Sequence, residues 1–271
     1  MPFCSAATGV GNFVGDESMR GLKISVITVC FNSAATIQDT LRSVAAQTHS
    51  DIEHIVIDGS STDGTMEIVN SNRHRLAQVV SEPDRGIYDA MNKGLALATG
   101  DIVGFLNADD FYAVPNALEL VAAPFSDPDV DAVYADLVYV DAVDTHRIVR
   151  YWKSRDYQPG LFLGGWMPAH PTFFVRRGIY EKLGRFDLEF RRQADFELTM
   201  RFLEVHRIRS LYLPMILVKM RIGGASNNSI VNIIRGNIEA YRACKKNHLP
   251  VTWLFIVKKM LSRIPQFFNK P

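Results

Sequence analysis

The sequence predicts an α/β fold: a mostly parallel central sheet flanked by helices, with further helices at the C-terminal end. Three observations carry this. Apolar, β-branched runs alternate with segments of helical periodicity over the first ~110 residues, the pattern of successive βα units. Several runs end in small, hydroxylic or acidic residues, as strands do where a parallel sheet opens into a ligand crevice. The length, 271 residues, with 47% hydrophobic and 22% charged, provides a sizeable core for one large or two modest domains.

The elements follow in order. Residues 23–30 (KISVITVC) are β-branched and apolar, as in a central strand. Ser33 is placed to cap a helix over 34–47, with Ile37, Leu41, Val44 and Ala45 at helical spacing. Residues 53–58 form a second buried strand, and Thr62 or Asp63 opens a helix carrying Met66, Ile68 and Val69. A short third strand covers 78–80. A helix spans 86–98 with Ala90, Met91 and Leu95 on one face, and Gly100 ends it. Residues 102–106 are a fourth strand. The second half is mixed: strands at 130–140 and 146–152 that suit a hairpin, a strand at 172–175, a helix at 195–205 with Phe196, Thr199, Met200 and Leu203 as its apolar stripe, and strands at 211–213 and 217–220. Two helices, 230–247 and 251–264, flank Pro250.

Composition narrows the function. The formal net charge of +1 excludes a global nucleic-acid footprint. The charge is uneven, however: from Arg235 onward eight Lys/Arg accompany one acid, Glu239. Cys4, Cys30 and Cys244 fit neither a disulfide framework nor a zinc pattern and read as free thiols in a reducing compartment. Residues 1–21 lack the basic start and apolar core of a secretory signal and read as a disordered tail. No later apolar run is long enough to span a bilayer.

The chemistry concentrates at strand ends. The fourth strand delivers Asn107-Ala108-Asp109-Asp110. Clustered carboxylates at the end of a buried strand are costly unless something positive meets them, most simply a hard divalent cation on oxygen ligands, whose remaining positions suit water and phosphate. The alternative is a set of strand-end caps. Asp58, ending the second strand before Gly59-Ser60-Ser61-Thr62-Asp63, either accepts from a base or ribose or organises an Asx turn. Asp84 and Arg85 precede the Gly86 helix, whose N-terminal amides suit a phosphate. Asp89, Asn92 and Lys93 occupy its polar face, which alone reads as solvated surface. His170, between prolines, is rigidly aimed or structural. Asp195 opens a helix, as an N-cap or as a general base, and His170 is the other candidate base.

Together, segments 24–32, 58–65, 84–94, 105–110, 170–174, 184–187, 194–201 and 223–226 resemble family 2 glycosyltransferases with the GT-A fold, a Rossmann-like architecture. The resemblance covers roughly residues 22–228 and is strongest to small bacterial enzymes that build surface polysaccharide, lipopolysaccharide or glycolipid, including colanic-acid-type and mycobacterial phenolic-glycolipid transferases. It implies a hexosyl transfer from a nucleotide-diphosphate sugar, UDP-sugar by default, to a saccharide or lipid-linked acceptor with inversion, in the cytoplasm or at the inner face of the plasma membrane. Asn107-Ala108-Asp109 occupies the family's DXD position, so Mn²⁺ or Mg²⁺ is expected chiefly on Asp109, with Asp110 assisting or facing the sugar. Asn107 replaces the usual first carboxylate and is expected on the ribose or sugar. Thr28, Asn32 and Asp58 are expected at the nucleoside, and Asp84, Arg85 and Lys93 near the nucleotide and its phosphates, with His170 also in the donor site. Asp195 matches the family's base, although Ala194 stands where a Glu is usual.

The domains implied are a nucleotide-sugar half over 22–125, an acceptor half over 126–228 and basic amphipathic helices over 229–271. Trp253, Leu254, Ile256, Val257, Met260, Leu261 and Ile264 interleave with Lys258, Lys259 and Arg263, and Phe267 and Phe268 follow; residues 251–268 therefore suit either an anionic membrane surface or packing on the domain. Two other functions compete. A sugar nucleotidyltransferase needs a Gly-rich loop after the first strand, where this chain has Phe31-Asn32-Ser33-Ala34. A catalytically inactive carbohydrate-binding relative conflicts with the intact Asp109, Asp110 and Asp195.

Overall fold

β1 (Ile24–Cys30) is buried along its whole length, which places it inside the sheet rather than at an edge. The computed structural model describes residues 21–223, 230–262 and 266. The expected N-terminal tail, most of segment 223–226, and Arg263, Ile264, Phe267 and Phe268 lie outside the described residues, as does Cys4. β1 pairs in parallel with β2 (Ile52–Asp58) on one side. On the other side it pairs in parallel with the strand Ile102–Phe105.

α1 (Ile37–Ala45) connects β1 to β2, and α2 (Thr65–Ser71) leads to β3 (Gln78–Ser81), which pairs in parallel with β2. α3 (Ile87–Leu97) then leads to β4, the strand at Ile102–Phe105. The three crossovers are thus helical, as parallel pairing requires. α3 lies tightly on the sheet: a Cβ on Gly94 would fall 2.4 Å from Ile27 Cγ2. α1 starts later than Ser33 suggests, because a turn held by Thr36 N and Ile37 N on the Ser33 carbonyl precedes it.

The second half extends the sheet with mixed pairing. β5 (Asp110–Tyr112), α4 (Ala117–Ala122) and β6 (Ala132–Val140) come next. β7 (Ile148–Trp152) returns antiparallel on β6, forming the expected hairpin. β8 (Phe174–Arg176), α5 (Arg177–Leu183), α6 (Ala194–Met200) and β9 (Ser210–Arg221) complete the order β3-β2-β1-β4-β8-β6-β9-β5. α6 continues into a π-helical turn at Arg201–Val205. The two strands expected at 211–213 and 217–220 are one, bulged where Pro214 and Met215 interrupt the register. Proline has no amide to give the ladder, so it sits at the bulge. β5, α4 and α5 are short and carry too little periodicity to be read from sequence.

α1, α2 and α4 cover one sheet face; α3, α5, α6 and α7 (Ile230–Lys246) cover the other. α8 (Leu254–Leu261) adds Phe255 to that second core. Packing of α8 on the domain is therefore observed, and Lys259 lies 3.8 Å over the Phe196 ring. Trp253, Leu254, Val257, Met260 and Leu261 still face outward. No helix among the described residues is long and apolar enough to cross a membrane.

One buried carboxylate organises the second half. Asp136, in the middle of β6, accepts from Tyr151 Oη (2.5 Å), Ser154 N (2.6 Å) and Tyr212 Oη (2.8 Å). On the preceding residue, Ala135, the carbonyl accepts from Thr172 Oγ1 at 2.9 Å and the amide donates to that oxygen at 3.1 Å. The segment between Ser154 and Thr172 thus leaves and rejoins the sheet at adjacent residues of one strand.

Candidate active site

The crevice opens at the C-terminal ends of β1, β2 and β4, where α/β sheets bind ligands. Beyond β1, Asn32 adopts a left-handed backbone (φ 48°). Its amide donates to Ser61 Oγ at 2.8 Å and its Oδ1 accepts from Thr62 N at 2.9 Å, tying the first loop to the second. Beside it Phe31 is 62% exposed, a large aromatic face turned to solvent. Gly59 permits a close approach: a Cβ there would fall 2.6 Å from Asp84 Oδ2 and 3.4 Å from the Phe31 ring. Asp84 Oδ1 accepts from Gly86 N at the start of α3, 2.8 Å. Phe31, Asn32, Gly59 and Asp84 therefore lie together.

Three expected ligand contacts need correction. Thr28 is fully buried, and its hydroxyl shares a 2.9 Å hydrogen bond with His54 Nε2 on β2, so it faces a neighbouring strand rather than the crevice. Asp58 is also fully buried; it accepts from Ser61 N (3.0 Å), Ser61 Oγ (2.5 Å) and Ser81 Oγ (2.7 Å). Burial would raise its pKa, but these bonds outweigh it and hold the carboxyl below the usual range. It supports the crevice floor as an Asx turn. Lys93 Nζ donates to Pro83 O and pairs with Glu82, both at 2.8 Å, so it braces the 82–84 loop from behind. Asn92 is likewise not solvated surface: its side chain bonds Phe186 N and O at 3.0 and 2.9 Å.

The Thr28–His54 pair carries a pH prediction. Burial lowers the His54 pKa from 6.5 to about 4. Between those values the unfolded chain takes up a proton that the folded protein refuses, so stability falls as pH falls from 6.5 toward 4. A loss of up to ~3 kcal/mol is expected. Urea unfolding from pH 7 to pH 4 checks it, with His54→Gln expected to flatten the slope.

At the turn from β4 into β5, Asp110 is fully buried, and neither of its carboxylate oxygens has a hydrogen-bond partner in good geometry among the described residues; the same holds for Asn107 Oδ1. Burial, with the adjacent Asp109, drives the Asp110 pKa well up, against the opposing pull of Arg221 and of the nearby Asn107 side chain. Asp109 is only partly buried, and burial raises its pKa also. No cluster of three His, Cys, Asp or Glu side chains among the described residues could hold a metal alone. The unpartnered Asp110 carboxylate and Asn107 amide oxygen, beside the Asp109 carboxylate, fit a hard cation that takes its other ligands from water and phosphate. The sequence puts the greater weight on Asp109; the orphaned oxygens belong to Asp110 and Asn107.

This acidic turn is held by a residue not singled out from the sequence. Arg221, at the end of β9, donates to the Asp109 carbonyl at 3.0 Å, pairs with Asp39 of α1 and stacks 4.9 Å over the Phe111 ring.

On α6, Asp195 Oδ1 accepts from Tyr88 Oη at 2.9 Å and from Phe196 N at 2.8 Å. Among the described residues nothing donates to Oδ2, which leaves one oxygen oriented and the other available. Burial and then Asp195 raise the Tyr88 pKa, so the phenol remains a donor. His170 stacks on Phe105 at 6.0 Å, and its Nε2 is buried without a partner among the described residues. Burial lowers its pKa while Asp195 opposes, so the ring is neutral near pH 7. Arg85 gives its amide and guanidinium to Asp89, each at 3.0 Å, yet stays exposed. With Arg191 it lines a cavity of about 320 Å³ whose wall includes Tyr88. The structure thus brings together Asp195, Tyr88, Arg85 and, unforeseen, Arg191, with His170 within reach of the Asp195 charge; Phe31, also unforeseen, lies with Asn32, Gly59 and Asp84.

The fold is that of a GT-A glycosyltransferase, and the relatives agree. The family model for glycosyl transferase family 2 matches residues 25–184. A PGL/p-HBAD biosynthesis glycosyltransferase of Mycobacterium bovis is 32% identical over 217 residues, covering 79% of this chain and 82% of its own. An uncharacterized glycosyltransferase of Mycobacterium tuberculosis is 34% identical, covering 66% and 68%. Among solved structures, a mannosyltransferase from Pyrobaculum calidifontis in complex with GDP-Man and Mn²⁺ superposes with TM-score 0.64 at 20% identity, over 91% of this chain and 70% of that one. S. aureus TarS gives TM-score 0.63 at 19% identity; the chain covers 44% of its length. The chain belongs to glycosyl transferase family 2 and is a glycosyltransferase with the GT-A fold.

Proposed function

We propose that the protein transfers a hexose from a nucleotide-diphosphate sugar, a UDP-sugar first among candidates, to a saccharide or lipid-linked acceptor of the bacterial cell envelope, with inversion at the anomeric carbon. The single observation that carries this is His170, which stacks on Phe105, the end of the strand that leads into the acidic turn at Asn107–Asp110, and feels the charge of the oriented carboxylate at Asp195. Support for the donor comes from relatives: TarS 1–349 is solved in complex with UDP-GlcNAc, and the archaeal mannosyltransferase with GDP-Man and Mn²⁺.

In this reading Phe31 takes a base on its exposed face, Asn32 and Asp84 contact the nucleoside, and Arg85 and Arg191 meet the phosphates. Asp109 and Asp110, with Asn107, would hold Mn²⁺ or Mg²⁺, which when bound neutralises the departing diphosphate. Asp195 Oδ2 accepts the proton of an acceptor hydroxyl whose oxygen attacks the anomeric carbon from the face opposite the nucleotide. Tyr88 holds Asp195 in position, and neutral His170 lies beside it at the sugar. Nucleotide release from UDP-, GDP- and dTDP-sugars, with and without Mn²⁺, tests the reading; absence of release and of any donor-induced thermal shift across the panel overturns it.

The acceptor side includes a membrane contact. α8 and its approach present Trp253, Leu254, Val257 and Leu261 outward beside exposed Lys258, the composition of an interfacial helix on anionic lipid. Because Phe255 is in the core, removing α8 would damage the fold, so the test uses surface changes. Trp253→Ser with Val257→Ser is expected to abolish co-sedimentation with phosphatidylglycerol vesicles at unchanged thermal stability; equal recovery of both proteins with lipid contradicts the contact.

A further inference from the structure

We infer that the cavity between α8 and the segment after β7 is a second anion subsite, on the acceptor side, that holds the phosphate of a phosphorylated acceptor. The inference rests on the transferase reading above for the word acceptor, but its chemistry is read from the cavity itself. The cavity, about 470 Å³, is bounded by Trp152, Lys153, Ser154, Arg155, Trp166 and Lys259, among others. Among the described residues its lining includes three cationic residues, Lys153, Arg155 and Lys259, and no carboxylate.

Ser154 makes the site more than a basic patch. Its residue is 5% exposed, its amide is committed to Asp136, and its hydroxyl has no hydrogen-bond partner among the described residues. A buried unpaired hydroxyl costs free energy unless a ligand or water meets it. Lys259, almost fully buried, lays its stem against Gly165 of the wall while its ammonium lies over the Phe196 ring, adding positive charge behind the cavity. A hydroxyl donor amid ammonium and guanidinium groups matches phosphate oxygens. The two indoles give the ligand an apolar flank: Trp166 packs on Phe162 at 5.5 Å, and Phe162 on Phe196 at 5.7 Å. Phe162 and Phe196 are fully buried, so these rings form the cavity's floor against the core. The lining shares no residue with the Arg85–Arg191 cavity, so an anion held here is distinct from the donor diphosphate. The exposed apolar side of α8 lies on the helix whose other side bounds the cavity, so a phosphate on a lipid chain fits the geometry; a sugar phosphate offers the same anion.

The test is direct binding to the full-length protein, read by quenching of tryptophan fluorescence, with farnesyl phosphate, glucose 1-phosphate and neutral farnesol as probes. Lys153→Ala/Arg155→Ala, both exposed side chains, is expected to weaken phosphate-probe binding at least about tenfold. Ser154→Ala is expected to weaken it less. UDP binding with Mn²⁺, followed by thermal shift, should be the same in wild type and variants. Tighter binding of farnesyl phosphate than of glucose 1-phosphate assigns the anion to a lipid carrier; the reverse order assigns it to a sugar phosphate, and both support the subsite. Farnesol binding as tightly as farnesyl phosphate, or equal affinity in wild type and the double variant, overturns it. Loss of UDP binding in wild type would instead strike the donor reading, leaving the probe result to stand by itself.

Discussion

Asp195→Asn is expected to reduce sugar transfer by ~10²–10⁴-fold, the contribution of a positioned general base, while donor binding and the unfolding midpoint stay near wild type. The geometry makes the substitution clean. The amide oxygen can still accept from Tyr88 Oη and Phe196 N, so the side chain keeps its place. What is lost is the second oxygen's capacity to take a proton. Tyr88→Phe separates orientation from basicity: the carboxylate survives without its 2.9 Å tether, so a smaller fall in kcat is expected, with KM for the donor unchanged. Single-turnover rates, with isothermal titration of the donor nucleotide, make the comparison. Normal turnover by Asp195→Asn would refute its assignment as base.

Asp110→Asn carries the second large effect, and its sign differs between stability and activity. In the metal-free protein the wild-type carboxyl is buried without a donor beside a second carboxylate, an arrangement that costs free energy. Replacing it with an amide removes the like charge, and a stability gain on the order of 1–3 kcal/mol is expected. The same change should abolish the Mn²⁺-induced rise in melting temperature and the Mn²⁺-dependent part of transfer. Asp109→Asn should lose the metal response without the gain, because Asp109 is only partly buried. Calorimetry of the three proteins with EDTA and with Mn²⁺ separates these outcomes. An Asp110→Asn variant that is both less stable and still metal-responsive would show that the acidic turn is structural.

The parallel half was legible because its crossovers are long and amphipathic, and because buried strands leave β-branched runs. Which face a strand residue takes was less so. Thr28 and Asp58 sit in the right strands but turn toward His54, Ser61 and Ser81 rather than the crevice. A hydroxyl or carboxylate at a strand end looks the same in sequence whichever way it points. Phe31 was missed although its position was signalled: a bulky aromatic directly after a central strand, amid polar residues, has little reason to be there unless something covers it. Asp136 was missed against the very argument that singled out Asp109 and Asp110. A lone acid inside the apolar run Ala132–Val140 is as costly as a pair at a strand's end, and the structure answers it with two phenols and an amide. Arg221 and Arg191 gave no local signal, since their meaning lies in contacts with residues far away in the chain.

That Asp136 also shapes how this enzyme can change. The Ser154 amide is held by Asp136 and the Thr172 hydroxyl by the residue before it, so the intervening stretch is pinned at a common foot. Within that stretch Phe162, Trp166 and His170 pack into the core and the site, whereas Arg155, Asp156, Gln158 and Pro159 are exposed. On the proposed reading, those exposed positions can change while the pinned foot, the core and His170 stay as they are. Exchanging Arg155, Asp156, Gln158 and Pro159 for a relative's residues, with Asp136, His170 and Thr172 left in place, is the natural way to ask whether this stretch meets the acceptor.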